Sequence, residues 1–510
     1  MSSDNRIKRI AIVGGGSAGW IAASVLARAL PNYGCSITVI ESPDIGTVGV
    51  GEATIPSMMD LLRFLDIDQA DFVHHVGATY KLGIKFVDWL TPNHSYWHPF
   101  GAFGTAINRR PFFHAWHKAK ADGLNPQFND FSLCSALGDA GKFRFPDMSR
   151  PGPAAGLRYA LHFDAARVAV YLRAYSERLG VKRLERNVAK ATQREDGFLD
   201  ELVFTDGTRL GADLFIDCTG FRGLLIEQAL QTGYIDWSNY LPCDRAVATQ
   251  TEMATPRTPY TRATARAAGW HWRIPLQERA GNGYVYTSAN ISDQDALDDL
   301  TTQLGETILG EPRFLRFSAG RRRKLWSRNC VAIGLSSGFL EPLESTSIHM
   351  AISGVYNLLD HFPDKRFDQS NIDSYNAELI HELEHIRDFI VLHYCLTQRD
   401  EPLWRYVRSM TLPDSLTERI ERYRATGRIR PKGGELFTDL SWFYIFDGMG
   451  VTPDAYDPLM DVVSTGRIAN IMAGLAKEHA EDLAVAKSHD SHFSYPIAVP
   501  SRPVVGAAAR

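Results

Sequence analysis

The chain has no long apolar run. No stretch approaches the ~18 consecutive apolar residues of a membrane-spanning helix, and the opening residues lack the short apolar core of a secretory signal. Neither sign of charge prevails. A formal net charge of −4 gives no reason to expect nucleic acid or an anionic membrane as a partner. Arg321, Arg322, Arg323 and Lys324 form the one dense basic run, expected as a solvated turn. Cysteine is sparse: Cys35, Cys134, Cys218, Cys243, Cys330 and Cys395, with no C-x-x-C pair. Such scatter suggests no metal site, and several of them lie in apolar strand-like runs, as buried thiols of a reducing compartment do. A cytoplasmic protein is the expectation. Internal repeats and low-complexity tracts are missing too.

What is present is ordinary globular material. With 45% hydrophobic and 22% charged residues in 510, the chain can bury one large core or two to three smaller ones. Its first organising stretch is RIAIVGGGSAGWIAASVLARAL. Arg9 to Val13 reads as a buried strand and Trp20 to Leu30 as a helix. Between them Gly14, Gly16 and Gly19 keep G-x-G-x-x-G spacing. The first glycine permits a tight turn, the second admits a pyrophosphate against the backbone, and the third lets helix pack on strand. The phosphates then meet free N–H groups at a helix N-terminus. Ser36 to Ile40 reads as a second strand, and Glu41 after it can accept from ribose hydroxyls.

Further along, Gly46, Gly49 and Gly51 mark irregular backbone wrapping a ligand, and Pro56 opens a helix over Ser57 to Leu65. Glu52 and Thr54 are open between facing the cofactor and capping that helix. A strand is expected near Ile84–Asp88, with Lys81 just before it. Residues 102–154 read as an irregular insertion. Helical periodicity returns from Asp164, a good N-cap, to Gly180, and a β-meander follows with a hairpin at Asp206-Gly207. Leu214 to Asp217 is a buried strand. Residues 241–335 look mainly β, with a helical interruption from Asp293 to Leu309. From Ser347 onward the pattern is helical, and the tail from Ser488 reads as an irregular extension.

The second organising stretch is NCVAIGLSSGFLEPLESTSIHMAI. A strand passes into a helix through Glu341-Pro342-Leu343-Glu344-Ser345-Thr346. Free N–H groups of Thr346 and Ser347 make a candidate small-anion site, with N-capping by Ser345 or Thr346 as the alternative. Taken together, GGGSAGW, GVGEATIP, Lys81 in YKLGIKF, Trp270-His271-Trp272-Arg273-Ile274-Pro275 and GFLEPLEST resemble the flavin-dependent tryptophan halogenase family. DCTGFRG, and IRDFIVLHY followed by Trp404, add to the resemblance, which spans residues 8–405.

The resemblance implies an α/β fold: a FAD-binding Rossmann-like domain of glutathione-reductase type, a β-rich substrate sheet and a mostly helical C-terminal module. Residues 1–101 and 155–365 would form the FAD-binding and sheet module, and 366–510 the helical substrate-side module. It implies an oxidoreductase using FADH2, O2 and chloride or bromide to halogenate an electron-rich, indole-like arene through hypohalous acid. A separate NAD(P)H-dependent flavin reductase would supply FADH2, since only one dinucleotide glycine motif is visible; a homodimer is compatible with the sequence. Lys81 matches the family's catalytic lysine, polarising the oxidant or carrying the halogen as a haloamine. Glu344 matches the carboxylate near the halogenation site. Thr346 and Ser347 match the halide-binding pair, although the family usually has Gly at the position of Ser347. Gly14, Gly16, Ser17, Ala18, Gly19, Glu41, Ala53, Val188, Leu335 and Ile348 are the implied FAD contacts. His98 and Phe100 match rings that clamp a flat substrate, and Trp442 is a candidate pocket wall. Trp270 and Trp272 read as a barrier between flavin and substrate. The C-terminal third, GELFTDLSWFYIFDGMG, departs from the pattern that holds a free amino acid. Two rival readings stand beside this one: a flavin-dependent aromatic hydroxylase, and a flavin-binding protein in which Lys81 and Glu344 are merely an ion pair.

Overall fold

The computed structural model describes residues 5–44, 51–149, 151–253, 255–430 and 433–493. Arg9–Val13 lies in the middle of a six-stranded sheet. It pairs in parallel with Leu214–Asp217 on one side and Ser36–Glu41 on the other, and Cys330–Ala332 and Lys182–Glu185 extend the parallel set. Ile10, Ala11, Ile12 and Val13 are all buried, as expected of a parallel strand covered on both faces. The helix Ser17–Ala29 returns over this sheet beside Ala165–Arg178 and Ser347–Asp360. Ser24 and Ser176 join hydroxyls at 2.8 Å where the first two helices touch. Asp164 caps its helix by accepting from the N–H groups of Ala166 and Arg167.

A second, seven-stranded sheet runs in the order Ile308–Arg316, Arg245–Glu252, Arg279–Tyr286, Gly269–Pro275, Thr261–Arg266, Gly83–Val87 and Ser95–Pro99. All its pairings are antiparallel except Thr261–Arg266 with Gly83–Val87. The strand with both tryptophans of the Trp-His-Trp run is therefore central, and His98 stands on an edge strand. A small sheet joins Glu52–Ala53, Ala160–Phe163 and Thr79–Lys81.

Several elements differ from the sequence expectation. Lys81 stands just before the strand Gly83–Val87, as expected, but not in a loop: it ends a short strand of its own, Thr79–Lys81. Residues 102–154, expected to be irregular, carry the helices Phe112–Ala121 and Leu133–Asp139. The first of these buries eight consecutive residues, Phe112 to Ala119, His114, His117 and Lys118 among them, so its polar positions do not mark a solvent face. The helix from Asp293 stops at Leu304, and Ile308 and Leu309 already belong to a strand. Lys487–Ser488 pairs with Lys142–Phe143, and His489–Phe493 makes a 3-10 turn. There Phe493 stacks on Tyr80, the residue before Lys81, at 5.5 Å. Arg322 is buried in a short strand and ion-paired with Glu227 at 2.9 Å, not solvated. Gly46 and Gly49, and the tail from 494, lie outside the described residues.

Candidate active site

The glycine run works as three separate devices. Gly14 has φ +117°, and a Cβ there would collide with the Cys218 carbonyl. A Cβ on Gly19 would strike the Gly14 carbonyl. Gly16 faces open space, with nothing within 4 Å of where its Cβ would lie. That space is the mouth of a cavity of about 1020 Å³, at the upper end of the range for ligand sites. No side chain caps the helix that starts at Ser17, so its first N–H groups point to the cavity unpartnered by the helix. The residues present fit a dinucleotide. Nine of the ten residues expected to hold FAD line the cavity; Gly19 packs behind it. Glu41 is already ion-paired with Arg183, which lines the cavity beside it. Of the two residues left open, Glu52 lines the cavity, whereas Thr54 exchanges hydrogen bonds with the backbone of Leu161 and caps nothing.

Trp272 forms part of the cavity wall. Trp270, two residues away on the same face of the strand, stands beside it with ring centroids 6.2 Å apart. Its indole N–H donates to Glu341 Oε2 at 2.9 Å, and Tyr394 donates to the same oxygen at 2.6 Å. Burial pushes the Glu341 carboxyl up to about 7 despite those two bonds.

The cavity also reaches Ser345 and Ser347. Ser345 holds φ +58°, in the left-handed region, as a strained residue at a functional turn does. Its hydroxyl accepts from Lys81 Nζ at 2.8 Å, and the Thr54 carbonyl accepts from the same ammonium at 2.9 Å. Lys81 is fully buried, with the Phe100 ring centroid 5.3 Å away. Burial pulls its pKa down to about 7, against the attraction of Glu344 and Glu52. Neither Ser345 nor Thr346 caps the helix from Ser347: no side-chain cap bond is made.

Glu344, fully buried, makes no ion pair with Lys81; its oxygens go elsewhere. Oε2 lies 2.7 Å from His98 Nδ1 and Oε1 lies 2.9 Å from His393 Nε2. Burial raises the carboxyl, but the two imidazoles outweigh it and hold Glu344 at about 2. Ile55, Phe100 and Ala160, with Leu436 against them, form a separate apolar cluster beside the lysine. Lys81, Phe100, Glu344, His98, Thr346 and Ser347 thus gather at one place. Trp442 does not: it is fully buried behind Phe389, with the Arg419 guanidinium 4.1 Å over its ring. Sequence reasoning missed His393, Tyr96, Ser345 and Glu341. Their partners lie tens to hundreds of residues away, so no local spacing marks them.

The tryptophan halogenase profile matches residues 9–465. The chain belongs to the tryptophan halogenase family. It is 36% identical to the tryptophan 6-halogenase ThaL of Streptomyces albogriseolus, over 88% of this chain and 91% of that one. Among solved structures, BrvH, a flavin-dependent halogenase from Brevundimonas sp. BAL3, superposes with a TM-score of 0.92 at 41% identity, covering 96% of this chain and 99% of that one. Xcc4156, a flavin-dependent halogenase from Xanthomonas campestris, does so with a TM-score of 0.92 at 42% identity, covering 96% and 98%. The fold is the α/β fold of the flavin-dependent halogenases. Among the described residues, no helix is long and apolar enough to cross a membrane.

Proposed function

We propose that this chain halogenates an electron-rich, indole-like arene, with FADH2 and O2 as co-substrates and chloride or bromide as halogen source. The single observation that carries the reading is the separation of its parts. Ser345 lines a dinucleotide-sized cavity, and a fully buried lysine stands one hydrogen bond behind it. Reduced FAD, when bound, supplies with O2 and halide the hypohalous acid. The chain's own residues do the rest. Trp270 and Trp272 keep the arene away from the flavin cavity. N–H groups of Thr346 and Ser347 hold the halide. Lys81, poised near neutrality, either donates a hydrogen bond to the oxidant or carries the halogen on its amine. Glu344, held ionised, stabilises the cationic ring intermediate and takes its proton.

A separate NAD(P)H-dependent flavin reductase supplies FADH2. Free tryptophan is not the favoured substrate. On the segment that departs from the family pattern, Glu435 is already engaged by Arg419 at 2.8 Å and His385 at 3.0 Å, and Leu436 turns an apolar face to Phe100. The hydroxylase reading is not favoured, and the ion-pair reading does not suit a Lys81 and a Glu344 that bond to different partners. Lys81→Ala is expected to keep FAD binding and lose halogenated product; unchanged product formation in that variant would overturn the reading.

A further inference from the structure

Glu344 is held by two imidazoles that come from different elements. His98 reaches Oε2 from the strand Ser95–Pro99, and His393 reaches Oε1 from the helix Gln369–Cys395. The other nitrogen of His393, Nδ1, lies 2.7 Å from the Tyr96 hydroxyl. Tyr96 sits two residues before His98, on the same face of the same strand. The contacts therefore close a ring: Tyr96, His393, Glu344, His98 and back along the strand. We propose that His393 is a positioning residue that fixes the Glu344 carboxylate at the substrate chamber, with Tyr96 bracing the imidazole from behind. The proposal rests on the halogenase reading above.

Three observations support it. First, the contact with Tyr96 favours one tautomer. Burial, then the charge of Glu344, keeps the Tyr96 hydroxyl protonated well past its usual range. With Tyr96 donating to Nδ1, neutral His393 carries its N–H on Nε2, 2.9 Å from Glu344 Oε1, a close electrostatic contact although the two atoms are not aligned as a hydrogen bond. Burial also holds His393 toward the neutral form against the pull of Glu344. Second, the imidazole is wedged. It is fully buried, with ring centroids of Phe86 at 4.5 Å, Phe389 at 5.5 Å and Trp89 at 6.0 Å, so it cannot turn to another partner. Third, the groups facing Glu344 are few: His98 and Tyr96 from one strand, His393 from the helix, and Lys81 from the small sheet, which acts through space. Without His393, Oε1 of a fully buried carboxylate would lose the imidazole beside it, and burial would favour its neutral form. His98, the implied substrate clamp, would also lose the fixed oxygen that sets its own ring.

The test uses the whole chain with FAD, a flavin reductase, bromide and indole, comparing wild type with His393→Phe, His393→Gln and Tyr96→Phe. His393→Phe is expected to form bromoindole roughly ten- to 100-fold more slowly, while release of bromide-dependent oxidant to a scavenger stays at the wild-type rate or rises. Its acid limb of kcat is expected to move up by about one pH unit or more. His393→Gln, which keeps an N–H donor toward the carboxylate, is expected to recover part of both, and Tyr96→Phe to lose only a few-fold. Infrared difference spectra along a pH titration read the same proposal without turnover: the carboxyl band that Glu344→Gln removes protonates about one pH unit or more higher in His393→Phe than in wild type. A wild-type rate, pH limb and carboxyl spectrum in His393→Phe would overturn the proposal. So would a proportional loss of oxidant release and product in all three variants, which marks a structural role only. Failure of the halogenase reading shows separately, as wild type that makes no bromoindole while the carboxyl spectra still respond to His393.

Discussion

Lys81 is the residue on which the fold spends the most. A lysine whose pKa falls from 10.5 to about 7 on burial is easier to protonate in the unfolded chain than in the folded one. The penalty is full below pH 7, shrinks between pH 7 and 10.5, and vanishes above. Its upper bound at neutral pH is roughly 4 kcal/mol, partly offset by the bonds to Thr54 and Ser345, about 1 kcal/mol each. Lys81→Met is therefore expected to raise Tm by several degrees at pH 7, with the gain fading as pH approaches 10.5. Calorimetry across that range checks it, and a variant less stable than wild type at pH 7 would show that the ammonium is better solvated than its burial implies. The two glutamates of the Glu-Pro-Leu-Glu turn are set apart in the same physical terms. Glu341 has only neutral donors, Trp270 and Tyr394, and rises to about 7; Glu344 has two imidazoles and falls to about 2. Neighbouring carboxyls are thus tuned in opposite directions, one toward the neutral form beside Trp270 and one held ionised beside His98 and His393.

At the level of elements, the proposed barrier depends on a cross-strand pair. Trp272 lies opposite Gly283 in the seven-stranded sheet, and its ring covers the glycine so closely that a Cβ there would overlap the ring. Gly283→Ala is expected to push Trp272 out of the wall. The measurement is coupling: the fraction of FADH2 consumed that ends as halogenated product should fall at least twofold, with the fold intact by circular dichroism. Unchanged coupling would mean that the barrier does not need Trp272 in place. This pair also shows what could and could not be read from the chain. Strand, turn and helix around Gly14 are legible because their cause is local: apolar residues, glycine spacing and helix formers follow one another within some twenty positions. The two tryptophans are legible as a pair two residues apart on one strand face. That Gly283 receives one of them, and Glu341 the other, depends on register between distant strands. His393 is hidden for a related reason, since one histidine in a helix that is buried along most of its second half carries no period of its own. The helix Phe112–Ala121 is hard to read because its histidines and Lys118 are buried with its aromatic residues, so polarity does not mark its outer face.

At the level of the whole molecule, the proposed function needs two places of reaction kept apart by Trp270 and Trp272. The dinucleotide cavity opens between the parallel sheet and the seven-stranded sheet. Lys81, Glu344, His98 and Phe100 stand beyond it, where the small sheet, an edge strand and the C-terminal helices meet. On the proposed function, halogen and not oxygen is the atom transferred to the ring, because the arene is kept from the flavin and only a small oxidant passes. The measurement that tests this most directly is a single turnover with photochemically reduced FAD, O2 and indole, without NAD(P)H or reductase, run with and without bromide and analysed by mass spectrometry. Bromoindole should form only when bromide is present, with no oxygenated indole in either sample. Oxygenated indole formed at the same rate with or without bromide would contradict the account.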